Sequence, residues 1–101
     1  MASHGEPLEY EFREEQSFQE DRAALVADGV TEQEIDNHLW SIQDSILPHP
    51  QMAPWSQPIP DDPEGARTAV SDATPAEPNA IRIVYTVEVN LIRLDRLERR
   101  T

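Results

Sequence analysis

The residues of this chain best equipped for chemistry are its arginines. Its last stretch, Ile81 to Arg100, carries Arg82, Arg93, Arg96, Arg99 and Arg100, and Arg67 lies shortly before it. A guanidinium is permanently charged and presents a planar fork of donors. Several of them aimed at one point can bind a phosphate and stabilise the extra charge of a phosphoryl-transfer transition state without a metal. Acid–base partners are scarcer. There is no lysine, all eight basic residues being arginine, and His4, His38 and His49 lack metal-ligand spacing. The absence of cysteine excludes a disulfide framework and a thiolate metal site, and no cofactor motif is present. The acidic pairs Glu14-Glu15, Glu20-Asp21 and Asp61-Asp62 lack the regular spacing of a calcium loop and read as solvated.

Charge is distributed lengthwise. The 101 residues carry a net charge of −12; residues 1–65 hold 15 Asp/Glu against two Arg, and residues 66–101 hold five against six. A uniformly basic nucleic-acid binder is therefore excluded, because affinity for phosphate backbones comes largely from cationic neutralisation. A local cationic site on an acidic body remains compatible, although the body would oppose a polyanion at long range. The length suits one small domain. No apolar run is long enough to span a bilayer, and Met1-Ala2-Ser3-His4-Gly5-Glu6 lacks signal-peptide features, so the expectation is a soluble cytoplasmic protein with no membrane partner.

The elements that would position these arginines follow from periodicity. Leu8-Glu9-Tyr10-Glu11-Phe12 alternates like a half-buried strand. Ser17-Phe18-Gln19-Glu20 offers a capping box, with Phe18, Arg22, Leu25 and Val26 on one helical face and Gly29 as the stop. Thr31-Glu32-Gln33-Glu34 offers a second box, and Ile35, Leu39, Ile42 and Ile46 make a stripe along a helix to about Leu47. The two helices are predicted to form a hairpin. Residues 48–65 hold six prolines and predict a long irregular loop, mobile or pinned by Trp55 and Ile59. Residues 66–71 form a weak strand, Ile81 to Val87 a strong one, and Leu91 to Leu97 another after a bend at Val89-Asn90. The fold class is α+β: a short N-terminal strand, an α-helical hairpin, then a three-stranded, largely antiparallel sheet.

Arg82-Ile83-Val84-Tyr85-Thr86-Val87, followed by a second apolar strand and a basic end, resembles the C-terminal half of the RelE/ParE toxin superfamily of bacterial toxin–antitoxin pairs. The element order, β-α-α-β-β-β, agrees. The specific match covers residues 81–100, and the rest agrees in pattern alone. The resemblance implies a toxin that either cleaves mRNA on the ribosome without a metal or inhibits gyrase, held by a cognate antitoxin protein. In the ribonuclease branch Arg82 and Arg99 or Arg100 match the arginines that hold the phosphate. Arg67 and Arg96 stand where they would add substrate contacts. The sequence departs from that branch where acid–base chemistry is needed. It has no lysine, the tail lacks its usual His or Lys, and Tyr85, by strand alternation, points away from Arg82. An inactive member that keeps the fold is a further alternative.

The same residues have plainer readings. Arg93, Arg96, Arg99 and Arg100 suit surface pairing with Asp95, Glu98 and the acidic helices, and Arg82 suits a salt bridge to the acidic first strand. His38 sits beside the apolar stripe and reads as a boundary residue; Trp40 and Trp55 read as core or loop-docking residues. A second functional class is a small acidic protein-binding module, a nucleic-acid mimic or regulator that engages a basic partner through its helices. A third is a homodimer formed by pairing of exposed edge strands.

Overall fold

The structure, a computed structural model, describes residues 10–47, 50 and 56–100. It contains β1 (Glu11–Glu14), α1 (Gln16–Ala27), α2 (Glu32–Ile46), β2 (Gln57–Pro58), β3 (Arg67–Ser71), β4 (Ile81–Glu88) and β5 (Leu91–Arg99). All the strands belong to one five-stranded sheet of order β1-β5-β4-β3-β2, with β1 parallel to β5 and every other pair antiparallel. The α+β class holds, but the sheet is larger than the expected three strands. The N-terminal strand joins it beside β5, and β2 arises inside the proline-rich stretch. Pro58 is tolerated there because β2 is an edge strand, where a missing N–H breaks no inner ladder.

Both helices pack on one face. α1 lies against β5 and α2 against β3, and a single core unites Phe18, Leu25, Ile35, Leu39, Ile42 and Ile46 with Ile81, Ile83, Tyr85, Ile92, Leu94 and Leu97. The helix stripe expected on α2 is buried in full. On α1, Phe18 and Leu25 are buried, whereas Val26 is exposed. The turn between the helices is a Schellman motif: Gly29 N–H donates to Val26 O and Val30 N–H to Leu25 O, with Gly29 at φ +101°. Val30 then enters the core beside Leu25.

Helix starts depart from the sequence pattern in an instructive way. The box at Thr31 forms by half, since Thr31 Oγ1 accepts from Glu34 N–H at 3.1 Å while the Glu34 carboxylate turns to Asn79 instead. The box at Ser17 does not form at all. α1 begins two residues earlier, capped at Glu15 with no side-chain bond, because Glu15 N–H already pairs with Leu94 O at 2.9 Å and carries the chain directly from β1 into the helix. The Ser17 hydroxyl is free for another acceptor, Asp95 O, at 2.6 Å.

That hydrogen bond belongs to the closure of β5. β1 pairs β5 only from Leu91 to Leu94, which leaves the rest of that strand's edge bare. Ser17 and Asp21, one helical turn apart, take over. Ser17 donates to Asp95 O, and Asp21 Oδ2 accepts from Leu97 N–H at 2.9 Å while its carboxylate holds Arg96 at 2.8 and 3.0 Å. Within β5 a bulge leaves Asp95 unpaired, since Val84 faces Arg96 and Tyr85 faces Leu94. The extra residue lets Leu94 and Leu97, three apart, share the core face.

The remaining free edges are short. β1 has four residues and carries Glu11 and Arg13, and β2 has two and ends in Pro58, features that discourage pairing with another sheet. No helix among the described residues is long and apolar enough to cross a membrane. Leu8 and Glu9, the first part of the expected N-terminal strand, and Trp55 lie outside the described residues.

Asp21 gives this closure a measurable signature. Burial works to raise its pKa, but the hydrogen bonds from Arg96 and Leu97 N–H outweigh it and hold the carboxyl below the usual range. Its contribution is therefore present above the unfolded-state carboxylate pKa and is lost as pH falls through the lower folded value. Asp21→Ala should cost about 1–3 kcal/mol by stranding the Leu97 N–H. Asp21→Asn keeps an acceptor and should cost less, while flattening part of the acid-side decline in urea midpoint. A decline of unchanged steepness in Asp21→Asn would refute the assignment.

Candidate functional site

Strand alternation places Arg82, Val84, Thr86 and Glu88 on the sheet face opposite the helices, with Arg93 across from Thr86. Arg93 is the centre of this face. Its Nε donates to Asp95 Oδ1 at 2.8 Å, one terminal nitrogen to Glu88 Oε2 at 3.0 Å and the other to Glu64 Oε1 at 2.8 Å. Asp95 Oδ2 accepts from the buried Thr86 hydroxyl at 2.7 Å. The β2–β3 turn delivers Glu64: Asp62 Oδ2 accepts from the N–H groups of Glu64 and Ala66, and Gly65 at φ +72° completes the bend. These carboxylates, Glu64 first and then Asp95, raise the Arg93 pKa. Three carboxylates around one guanidinium leave the face locally negative.

The other arginines do not converge. Arg82 sits across from Glu98 on β5 and bonds it, not the first strand, because β5 separates β1 from β4. Arg67 lies across from Tyr85 on the helix-side face, opposite to that of Arg82, and donates to Ser56 Oγ at 2.7 Å and Ser56 O at 3.1 Å. Arg96 is held by Asp21 at the strand edge. Arg100 donates its N–H to Ala80 O and lies 3.4 Å from Asp72. Arg99, exposed at the end of β5, makes no ion pair among the described residues. Tyr85 is in the core as its alternation predicts; its hydroxyl donates to Pro50 O at 2.6 Å, and burial pushes the phenol pKa up.

A second cluster was not expected. His38 is 2% exposed, a core residue and not a boundary one. Its Nδ1 is 2.6 Å from Ser71 Oγ on β3, and its Nε2 is buried with no hydrogen-bond partner among the described residues, 3.9 Å from Glu34 Oε2. Glu34 accepts from Asn79 N–H at 2.7 Å and from the Asn79 amide at 3.0 and 3.1 Å. A hydroxyl, an imidazole and a carboxylate in sequence are the ingredients of an activated nucleophile. Here the carboxylate stands beyond hydrogen-bond reach and the ring is shut from solvent, so the group acts as a strut tying α2 to β3 and to the segment before β4. The signal was present in the sequence as a Glu34/His38 pair one turn apart beside the apolar stripe.

Compared with protein-family models, curated proteins and solved structures, the chain matches none.

Two substitutions test the buried polar groups. Glu34→Ala strips the Asn79 N–H and amide of their acceptor and should cost about 1–3 kcal/mol, whereas Tyr85→Phe removes one hydrogen bond and should cost about 1 kcal/mol. Denaturant unfolding measures both. Equal, negligible losses would mean that neither contact persists in solution.

Proposed function

We propose that this protein is a small acidic binding module that captures a basic partner protein, built on a scaffold whose element order resembles that of the RelE/ParE toxins. The observation that supports this is how its charges are used. Every arginine except Arg67 and Arg99 touches a carboxylate, so the cations are spent internally. The surplus is carboxylate: Glu20, Asp28 and Asp44 on or beside the helices are exposed and make no ion pair among the described residues. Unpaired surface charge of one sign steers a partner of the other sign and sets the salt dependence of the encounter. A nucleic-acid mimic is one form of such a module.

The toxin reading is the second. It draws support from the order strand, two helices, then strands, and from Arg99 and Arg100 lying together at the end of β5. It implies a cognate antitoxin and either ribosome-bound mRNA or gyrase as target. Arg82 would first have to leave Glu98, and Arg67 faces the other side of the sheet, so metal-independent cleavage by these arginines acting together is the least favoured form.

Growth after induced expression separates the two. A binding module should leave a host whose ribosomes and gyrase resemble the source's growing normally, with or without Arg82→Ala/Arg99→Ala/Arg100→Ala. Arrest by the wild type alone would instead favour the toxin. In vitro, binding to a cationic protein should weaken with salt. It should weaken further on Glu20→Gln/Asp28→Asn/Asp44→Asn, substitutions that spare Asp21 and Glu34, which the fold itself needs.

A further inference from the structure

The side chain least consistent with a freestanding surface is Trp40. It is 76% exposed, although the sequence favours the core for it, and the reason is its position on α2. The buried stripe runs through Ile35, Leu39, Ile42 and Ile46, and at 100° per residue Trp40 falls about 130° from the centre of that stripe, on the solvent face. Asp36 and Asp44 stand one turn to either side, and Leu47, 39% exposed, stands two turns on. α2 contains Glu32, Glu34, Asp36 and Asp44 and no lysine or arginine. Asp44 makes no ion pair among the described residues, and Asp36 meets only Arg22 of α1. An indole with a carboxylate on each side along a helix is suited to one kind of group. A guanidinium or ammonium can stack on the ring face while its N–H donors reach the flanking carboxylates.

We propose that the α2 stripe Asp36, Trp40, Asp44 and Leu47 is the docking surface for a cationic segment of a partner protein, with an arginine or lysine of that segment stacked on Trp40. This rests on the acidic-module reading and names the surface through which it operates. Charge complementarity selects the occupant. A second copy of this chain would bring another acidic helix to the same stripe, and a nucleic acid would bring phosphates. Tryptophan is also among the residues that most often carry the energy of an interface, surrounded by contacts that mainly exclude water.

The chain has two tryptophans, Trp40 and Trp55, so a Trp55→Phe background leaves Trp40 as the sole indole reporter. Titration of that protein with an oligoarginine peptide should change the Trp40 emission, and an oligoglutamate peptide should not. Trp40→Ala should weaken oligoarginine binding, read by calorimetry, about tenfold or more. Trp40→Phe should restore part of the loss, and Asp44→Asn should weaken binding and lower its salt dependence. Because Trp40 is exposed, its replacement should leave the urea midpoint nearly unchanged, which separates lost docking from lost folding. Oligoarginine binding that is indifferent to Trp40→Ala overturns the surface while leaving the acidic-module reading in place. No binding to oligoarginine at low ionic strength overturns both. Concentration-dependent dimerisation abolished by Trp40→Ala would assign the stripe to a second copy and overturn the proposal.

Discussion

The pairing of β4 with β5 is the constraint on which the rest of the structure depends. The other elements build outward from it: β1 reads its register from β5 and β3 from β4, α1 packs on β5 and α2 on β3, and the stripes of both helices share one core with the apolar face of these two strands. The bulge at Asp95 is the critical irregularity. Without it, strict alternation would turn Leu97 to the outer face together with Asp95 and Arg93, and the core would lose a member. With it, Asp95 is freed to organise the outer face, holding Thr86 and Arg93, while its carbonyl is presented to Ser17 on the edge. One extra residue thus links the core, the outer charge network and the helix that closes the sheet.

Closure by α1 explains a short sheet edge in a chain of this size. A longer β1 would cover more of β5 with backbone, but it would take its residues from α1. The chain instead ends β1 at Glu14 and lets two side chains of the following helix satisfy the next carbonyl and N–H of β5. A buried or edge-exposed backbone group without a partner is costly, so this exchange of ladder for side chains keeps the hydrogen bonding complete while freeing residues for helix. It also fixes how α1 crosses the strand, because Ser17 and Asp21 share one helical face and meet backbone groups two residues apart.

Much of this was legible in the sequence. The α2 stripe, the Gly29 stop, the Val89-Asn90 bend and the two C-terminal strands follow from periodicity and turn chemistry, local rules that apply wherever the chain goes. What escaped was non-local. The parallel partnership of β1 with β5 and the two-residue β2 depend on segments far apart in sequence, and no period encodes them. Ser17 read as a cap because its neighbours suit one; the competing acceptor, Asp95 O, is 78 residues away. Arginines told the same story. Their number near the C-terminus was plain, but whether they converge depends on strand alternation and sheet order together, and these put Arg67 and Arg82 on opposite faces. Trp40 was misread for a different reason: a large apolar side chain is assigned to the core by type, whereas its phase on the helix places it in water.

The arrangement of charge then follows from the fold more than from composition. Surface ion pairs are worth little individually, so the pairs of Arg82 with Glu98, Arg96 with Asp21 and Arg100 with Asp72 are not what holds the molecule together. Their consequence is electrostatic. Cations concentrated in the C-terminal strands are brought next to carboxylates from α1, from the β2–β3 turn and from their own sheet, which cancels most of the positive potential that the sequence promised. Among the described residues the helices are compensated only by Arg96 on Asp21 and by Arg22, whose guanidinium is shared among Glu14, Glu32 and Asp36. A partner approaching this molecule therefore meets a sheet face whose arginines are already engaged and a helical layer on which Glu20, Asp28 and Asp44 make no ion pair among the described residues. Folding moves the unspent charge, and with it the surface able to recognise an ion, from the arginine-rich end of the sequence to the helical side of the structure.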